Sequence, residues 1–294
     1  QGGYFDQTSA GDGPDLRRET VLSLEELGIP VAHSHHEVAP GQHEIDLRHQ
    51  NALAMADTVI TYRVVVKEIA SQHGVYASFM PRPMNGENGS GMHCHLSLAK
   101  GEENAFFDED DALHLSAVGR SFLAGLIRHS PEVTAVTNQW VNSYKRLVPG
   151  IEAPSYGVWT GGNWSDLVRV PPYQGRAEAV RIEYRAPDSA CNPYLAFSVM
   201  LAAGMKGVEE GYDLGDPVTT DIDSMSPSER VEAGISKLPS NLGQALELLR
   251  ESELVREALG ESIFDNFVRN KEIEWREFES TVTEYEVDRY LKVL

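Results

Sequence analysis

Hydrophobic positions along the chain switch between two periods, and the switches mark the elements. From Asp15, the residues Leu16, Val21, Leu24 and Leu27 recur at helical spacing and predict an amphipathic helix facing a core, stopped by Gly28 and Pro30. The period then drops to two. Val31, His33, His35 and Glu37 alternate, an Ala39-Pro40-Gly41 turn follows, and Glu44, Asp46 and Arg48 alternate after it. That pattern predicts a hairpin able to bring Glu37 and Glu44 to one point. A second helix is predicted over Ala52–His73, with Met55, Val59, Tyr62, Val66 and Ile69 inward and Gly74 as its stop. Val75–Met80 reads as a strand ending at Pro81-Arg82-Pro83. Met92–Leu98 reads as another, after a Gly/Asn-rich loop.

Helical spacing returns over Ala112–His129. Asn192-Pro193 is an N-cap followed by proline at the first helical position, opening a long apolar helix to about Gly211. Ser226-Pro227-Ser228-Glu229 is a capping box. From there to Leu294 the pattern is helical, and the last helix, around Glu284–Leu294, is amphipathic enough to dock on another subunit. No internal repeat or low-complexity linker interrupts the chain. Strands separated by helices and hairpins place it in the α/β or α+β class, with a mostly antiparallel active sheet.

Composition sharpens this picture. The 294 residues, 41% of them hydrophobic, suffice to bury a sizeable core. No apolar run is long enough to span a bilayer and no signal peptide is visible. Two cysteines, Cys94 and Cys191, make no disulfide framework, and a reduced, cytoplasmic location follows as the simpler expectation. A formal net charge of −20 argues against nucleic-acid and anionic-membrane partners. The acidic residues are scattered and lysine is scarce beside arginine, which predicts adaptation to high salt. The first residue is Gln1 rather than Met, and the expectation is that an N-terminal portion precedes it.

The chemistry sits on the period-two stretches. After the glycines at 86, 89 and 91, alternation places His93, His95 and Ser97 on one face of a strand, with Cys94 and Leu96 behind. Arg181, Glu183 and Arg185 likewise share a face, backed by Ile182 and Tyr184; the alternative is an exposed ion-pair ladder. The segment 142–154 supplies Arg146, a Pro149-Gly150 turn and Glu152. Glu37, Glu44, His93 and Glu183 form an oxygen-rich set with one imidazole, which favours Mg²⁺ or Mn²⁺ over zinc. The competing reading of the first pair is a solvated acidic hairpin. Carboxylates for a metal, arginines and a glycine loop together point to phosphoryl transfer, although no Walker A or kinase catalytic-loop signature is present.

At these residues the chain resembles the catalytic domain of class I glutamine synthetase. HHEVAPGQHEID (35–46), NGSGMHCHLSL (88–98), NSYKRLVPGIEAP (142–154) and RIEYRAPDSACNPYL (181–195) carry the resemblance, which runs from Tyr4 to the C-terminal helices. It implies an α+β fold with a curved, mostly antiparallel active-site sheet surrounded by helices. One catalytic domain would fill residues 1–294, with 226–294 as its helical C-terminal region. It implies ATP-dependent ligation of ammonium to L-glutamate through γ-glutamyl phosphate, with two to three Mg²⁺ or Mn²⁺ ions per site. By the same resemblance Glu37 and Glu44 are ligands of one metal, and His93 and Glu183 of another. Asn88, Gly89, Arg146, Glu152 and Arg185 bind glutamate, while His49, His95, Ser97, Arg169 and Arg181 contact ATP. Glu152, Arg146, Arg181 and Tyr4 take part in catalysis, with Glu152 on a flap and Tyr4 near the ammonium. The implied assembly is a homo-dodecamer of two hexameric rings with sites between subunits, open to a PII-type regulator.

Three departures from the family pattern stand out. Its Glu-x-Glu strand and small β-grasp domain are not in this sequence, so the chain alone is expected to have incomplete metal shells. Trp164 stands where an arginine that contacts ATP and substrate is usual. Residues 221–225 hold no tyrosine for adenylylation. Two other readings are a ligase joining glutamate to a larger amine and a catalytically silent relative; retention of Glu37, Glu44, His93, Glu183 and Arg146 argues against the latter.

Overall fold

A computed structural model describes residues 4–5, 13–160, 166–218, 220 and 222–294. Trp164 and Asp221, singled out above, lie outside the described residues. The chain begins with α1 (Gly13–Glu26), a hairpin of β1 (Val31–His36) and β2 (His43–Leu47), and α2 (Ala52–Gln72). Next come β3 (Cys94–Leu96), the small hairpin β4 (Ala99–Lys100) and β5 (Glu103–Asn104), α3 (Ala117–Thr137) and the single turn α4 (Ser143–Arg146). Three short strands follow: β6 (Trp159–Thr160), β7 (Val168–Arg169) and β8 (Ile182–Tyr184). The chain ends in α5 (Pro193–Glu210), α6 (Pro227–Glu232), α7 (Leu242–Glu251), α8 (Glu253–Leu259), α9 (Glu261–Glu279) and α10 (Glu284–Tyr290). The class is α+β.

The central sheet has the order β3-β8-β7-β6, with β3–β8 and β7–β8 antiparallel and β6–β7 parallel. Its pairing puts Thr160, Arg169, Glu183 and His95 in one cross-strand row. The adjacent row of Trp159, Val168, Tyr184 and Cys94 is buried in the core. Side chains on successive residues of a strand point to opposite faces, so this register alone separates the polar face from the core. Behind the sheet α3 and α5 pack backbone to backbone. A Cβ on Gly207 would lie 2.1 Å from the Ser121 carbonyl, and one on Gly125 2.2 Å from that of Ala203.

The described N-terminal region corrects one inward assignment. Leu27 is exposed, and Ile29 is buried in its place. Gly28 at φ +78° donates its N–H to the Glu25 carbonyl, and Ile29 donates to that of Leu24. This is a Schellman stop, which swings Leu27 outward and packs Ile29 on the last turn. The predicted 75–80 strand does not form. Tyr76 is 89% exposed and Val75 is also exposed, while Phe79 packs edge-on against Tyr62 of α2, and among the described residues no strand pairs with this segment. The 92–98 strand shortens to β3.

The third long helix is displaced at both ends from the predicted 112–129. Asp111 accepts from the N–H groups of Leu113 and Leu115 in a tight turn, and Ser116 caps the true start by accepting from Gly119 N. At the other end Pro131 lies inside the helix and has no N–H to give the Ile127 carbonyl. The Ser130 hydroxyl donates to that carbonyl at 2.7 Å instead, and the helix runs on to Thr137. The α5 and α6 caps form as the pattern predicts, through Asn192 and through the reciprocal Ser226/Glu229 pair.

Candidate functional site

The hairpin turn is built by chain chemistry. Gln42 N donates to the Ala39 carbonyl at 3.0 Å, with Pro40 and then Gly41 at φ +68° between them, as a type II turn requires. Glu37 N donates to the Gln42 carbonyl at 2.8 Å. Across the ladder His35 faces Glu44 and His33 faces Asp46. The expected approach of Glu37 to Glu44 is joined by groups not predicted as ligands: a donor atom from each of His35, Glu44 and Asp46 lies within 4.8 Å of the others. His35 Nε2 is 3.0 Å from Glu37 Oε1. The signal for His35 and Asp46 lay in the period-two alternation that put them beside Glu44.

Burial, then the Asp46 hydrogen bond and charge, and then Glu37 push the Glu44 carboxyl up to about 9. Carboxylates crowded this closely need a proton or a cation between them. The donor set, the carboxylates of Glu44 and Asp46 with the His35 imidazole and Glu37 beside them, fits Mg²⁺ or Mn²⁺.

The sheet face carries the second group. Glu183, 2% exposed, is held between Arg169 Nε at 2.6 Å and Arg185 Nη1 at 2.5 Å, with His93 Nδ1 at 3.5 Å. Burial first, then Arg185 and Arg146, hold His93 well below the usual imidazole range, so it is neutral and has a lone pair to offer. His95 is also lowered by desolvation; Glu183 opposes that and Arg181 and Arg169 add to it. Arg181 Nε donates to His95 Nδ1 at 3.0 Å. A guanidinium only donates, so neutral His95 carries its proton on Nε2.

The glycine loop closes the site. Gly89 has no room for a side chain: a Cβ would sit 2.4 Å from the Pro81 carbonyl and 3.0 Å from Arg146 Cγ. A Cβ on Gly91 would meet Arg146 Nη2 at 2.6 Å and His93 Nε2 at 2.8 Å. Arg146, 1% exposed, donates from Nη1 to the Ala186 carbonyl at 2.7 Å and from Nη2 to that of Arg185 at 3.0 Å. Burial lowers its guanidinium to about 10, with buried Asp188 opposing.

Beside the loop Asn88 Nδ2 lies 3.5 Å from Glu152 Oε2. The Tyr4 hydroxyl is raised first by burial and then by Glu37, Glu152 and Glu44, which places it among those carboxylates. Phe5 stacks on His35 with ring centroids 4.5 Å apart. The structure therefore brings together the residues predicted on the hairpin, the loop, the sheet and the 142–154 segment. Ser97 and His49 are exposed and stand outside this network.

Guanidiniums and neutral imidazoles beside a carboxylate cluster give this site donors for anions and ligand atoms that could hold a cation. A family model described as glutamine synthetase, catalytic domain, matches residues 1–290. A curated relative named glutamine synthetase, from Mycolicibacterium smegmatis, is 54% identical over 293 residues, covering 99% of this chain and 66% of the relative. Another of that name, from Methanosarcina mazei, is 48% identical over 294 residues, covering 100% and 65%. A solved structure titled GmaS/ADP complex-Conformation 1 superposes with a TM-score of 0.88 at 34% identity, over 98% of this chain and 66% of that one. The chain belongs to the glutamine synthetase catalytic-domain family. It spans about two thirds of the length of the curated relatives it matches.

Proposed function

We propose that this chain carries the catalytic face of a glutamate–ammonia ligase, in which ATP phosphorylates the side-chain carboxylate of glutamate and ammonia displaces the phosphate. The observation that carries the reading is the cross-strand row of Arg169, Glu183 and His95 flanked by Arg181 and Arg185, with the hairpin carboxylate Asp46 close enough for its charge to act on His95. The glutamate carboxylate oxygen attacks the terminal phosphorus as its bond to ADP breaks. Ammonia then attacks the acyl carbon and inorganic phosphate leaves.

Arg146 and Arg185, with Asn88 and Gly89, would bind glutamate. Arg169, Arg181, Ser97 and the Nε2–H of His95 would hold the ATP phosphates, and exposed His49 would stack on adenine. Glu152, beside Asn88 and near Tyr4, would accept the proton released by ammonium and cover the acyl phosphate. Glu37 and Glu44 would hold one divalent ion, and His93 and Glu183 another. When bound, Mg²⁺ or Mn²⁺ supplies the positive charge that offsets repulsion between ATP and a carboxylate. A cytoplasmic, two-ring dodecamer with shared sites belongs to this proposal; among the described residues no helix is long and apolar enough to cross a membrane.

Trp164 in place of an arginine favours a second reading, ligation of glutamate to a larger amine. The relatives at 54% and 48% identity bear the glutamine synthetase name, against 34% for GmaS, and this favours ammonium. The test is ATP- and Mg²⁺-dependent phosphate release with glutamate by the full-length protein in molar KCl. Stimulation by ammonium alone is expected. Stimulation only by methylamine or putrescine would transfer the protein to the second reading, and no release with any amine would favour a silent relative.

A further inference from the structure

We propose that Gln42 is a positioning residue that couples the carboxylate hairpin to the glycine loop, so that cation binding at the one and glutamate binding at the other reinforce each other. The inference rests on the function proposed above. The main chain of Gln42 is spent within the turn, its N–H on Ala39 and its carbonyl on Glu37 N. Its side chain faces both ways. Oε1 accepts from Ala39 N at 3.2 Å, while Nε2 donates to the Gly89 carbonyl at 3.0 Å and to Ser90 Oγ at 3.1 Å. One half-buried carboxamide thus ties the tip of the hairpin to the loop.

What each end holds gives the tie its consequence. Glu37 and Glu44 flank the turn, and Gly89 follows Asn88, whose amide faces Glu152. The back of the loop is already fixed, because Ser90 N donates to the Pro81 carbonyl at 2.8 Å and Gly89 is wedged between that carbonyl and Arg146. Gln42 holds its front.

The chemistry is specific to glutamine. The turn needs an acceptor, and the Gly89 carbonyl and Ser90 hydroxyl call for two donors on one nitrogen. Glutamate would set an oxygen against the Gly89 carbonyl, lysine has no acceptor, and asparagine is a methylene short. A segment ordered from either end lowers the cost of ordering it from the other, and by linkage the effect is reciprocal.

The experiment compares wild type with Gln42→Glu and Gln42→Met in the full-length, assembled protein. Mn²⁺ affinity is measured by metal titration with and without saturating glutamate, alongside glutamate KM and kcat. In wild type, glutamate is expected to tighten Mn²⁺ binding about fivefold or more, within the usual range of site-to-site coupling. In both variants this enhancement falls to near unity. Mn²⁺ affinity without glutamate stays within about twofold, and glutamate KM rises about tenfold with kcat within about threefold, as loss of two hydrogen bonds to the loop predicts.

A purely structural role would lower stability without abolishing the coupling. If the variants fail to fold, Ser90→Ala removes one Nε2 partner without touching the hairpin and is expected to cut the enhancement about threefold. Undiminished coupling in the variants, or none in wild type, overturns the proposal while leaving the function intact. Absence of glutamate-dependent phosphate release by wild type overturns the function and the proposal with it.

Discussion

Replacing Arg146 with lysine keeps a cation at the buried centre of the site and removes its fork. The guanidinium donates to the Ala186 and Arg185 carbonyls, and more weakly to that of Pro187 at 3.4 Å. An ammonium on a shorter stem reaches one of these. Ala186 keeps a second donor in Asn138 Nδ2 at 2.8 Å, so the Arg185 carbonyl bears the loss. Leaving such a group unpaired, with the lost charge-assisted bonds, costs about 2–4 kcal/mol.

Burial also holds Arg146 to about 10, well over two decades below a free guanidinium. The same burial acting on lysine, whose ordinary value is about 10.4, would bring it to about 8, which corresponds to roughly 3 kcal/mol. A cation lowered on folding destabilises fully below its folded value and is relieved as pH rises toward its unfolded value, because the unfolded chain then binds more protons. For lysine the relief spans about pH 8 to 10.4, while the wild-type arginine stays charged until about pH 10.

Thermal unfolding of both proteins between pH 7 and 10 measures this. Arg146→Lys is expected to melt about 4–8 °C lower at pH 7, at roughly 2 °C per kcal/mol for a chain of this length, and to recover about half of the deficit by pH 9.5. A deficit that stays constant across the range would refute the argument from burial. Absence of any deficit would refute the hydrogen-bond argument.

Glu44→Gln relieves carboxylate crowding with Asp46 and Glu37, so the metal-free variant should melt higher than wild type at pH 7.5 and gain less from Mn²⁺; equal Mn²⁺-dependent shifts would count against the hairpin as a cation site. Gly207→Ala gains about 1 kcal/mol of helix propensity but forces a methyl to 2.1 Å from the Ser121 carbonyl. Overpacking against backbone costs about 1–3 kcal/mol or more, so the expected net effect in thermal or chemical unfolding is destabilisation, and a raised melting point would refute it. With a net charge of −20, the melting temperature should rise as KCl goes from low to molar concentration, and a fall would rule out the salt-adaptation reading.

Local chemistry determined a great deal of this protein before any tertiary contact. The Asn192 cap with Pro193, the Ser226/Glu229 box and the type II turn at Pro40-Gly41 each close within a few residues, so their partners are legible in order along the chain. Period-two alternation likewise assigned Glu183 to one face and Ile182 and Tyr184 to the other. The errors fell where the deciding partner was not implied by local spacing. The continuation of α3 through Pro131 depends on where the neighbouring Ser130 hydroxyl points, and the absent 75–80 strand on having no strand to pair with among the described residues.

The site shows the same division. Its residue types were legible, but not that Arg169 and Arg185 clasp one glutamate, that Arg181 sets the tautomer of His95, or that Gln42 reaches Gly89 from 47 positions away. Those are contacts between segments brought together by the core. A hydrogen bond is decided by distance and direction in space, and sequence spacing carries that information only as far as one turn or one strand reaches.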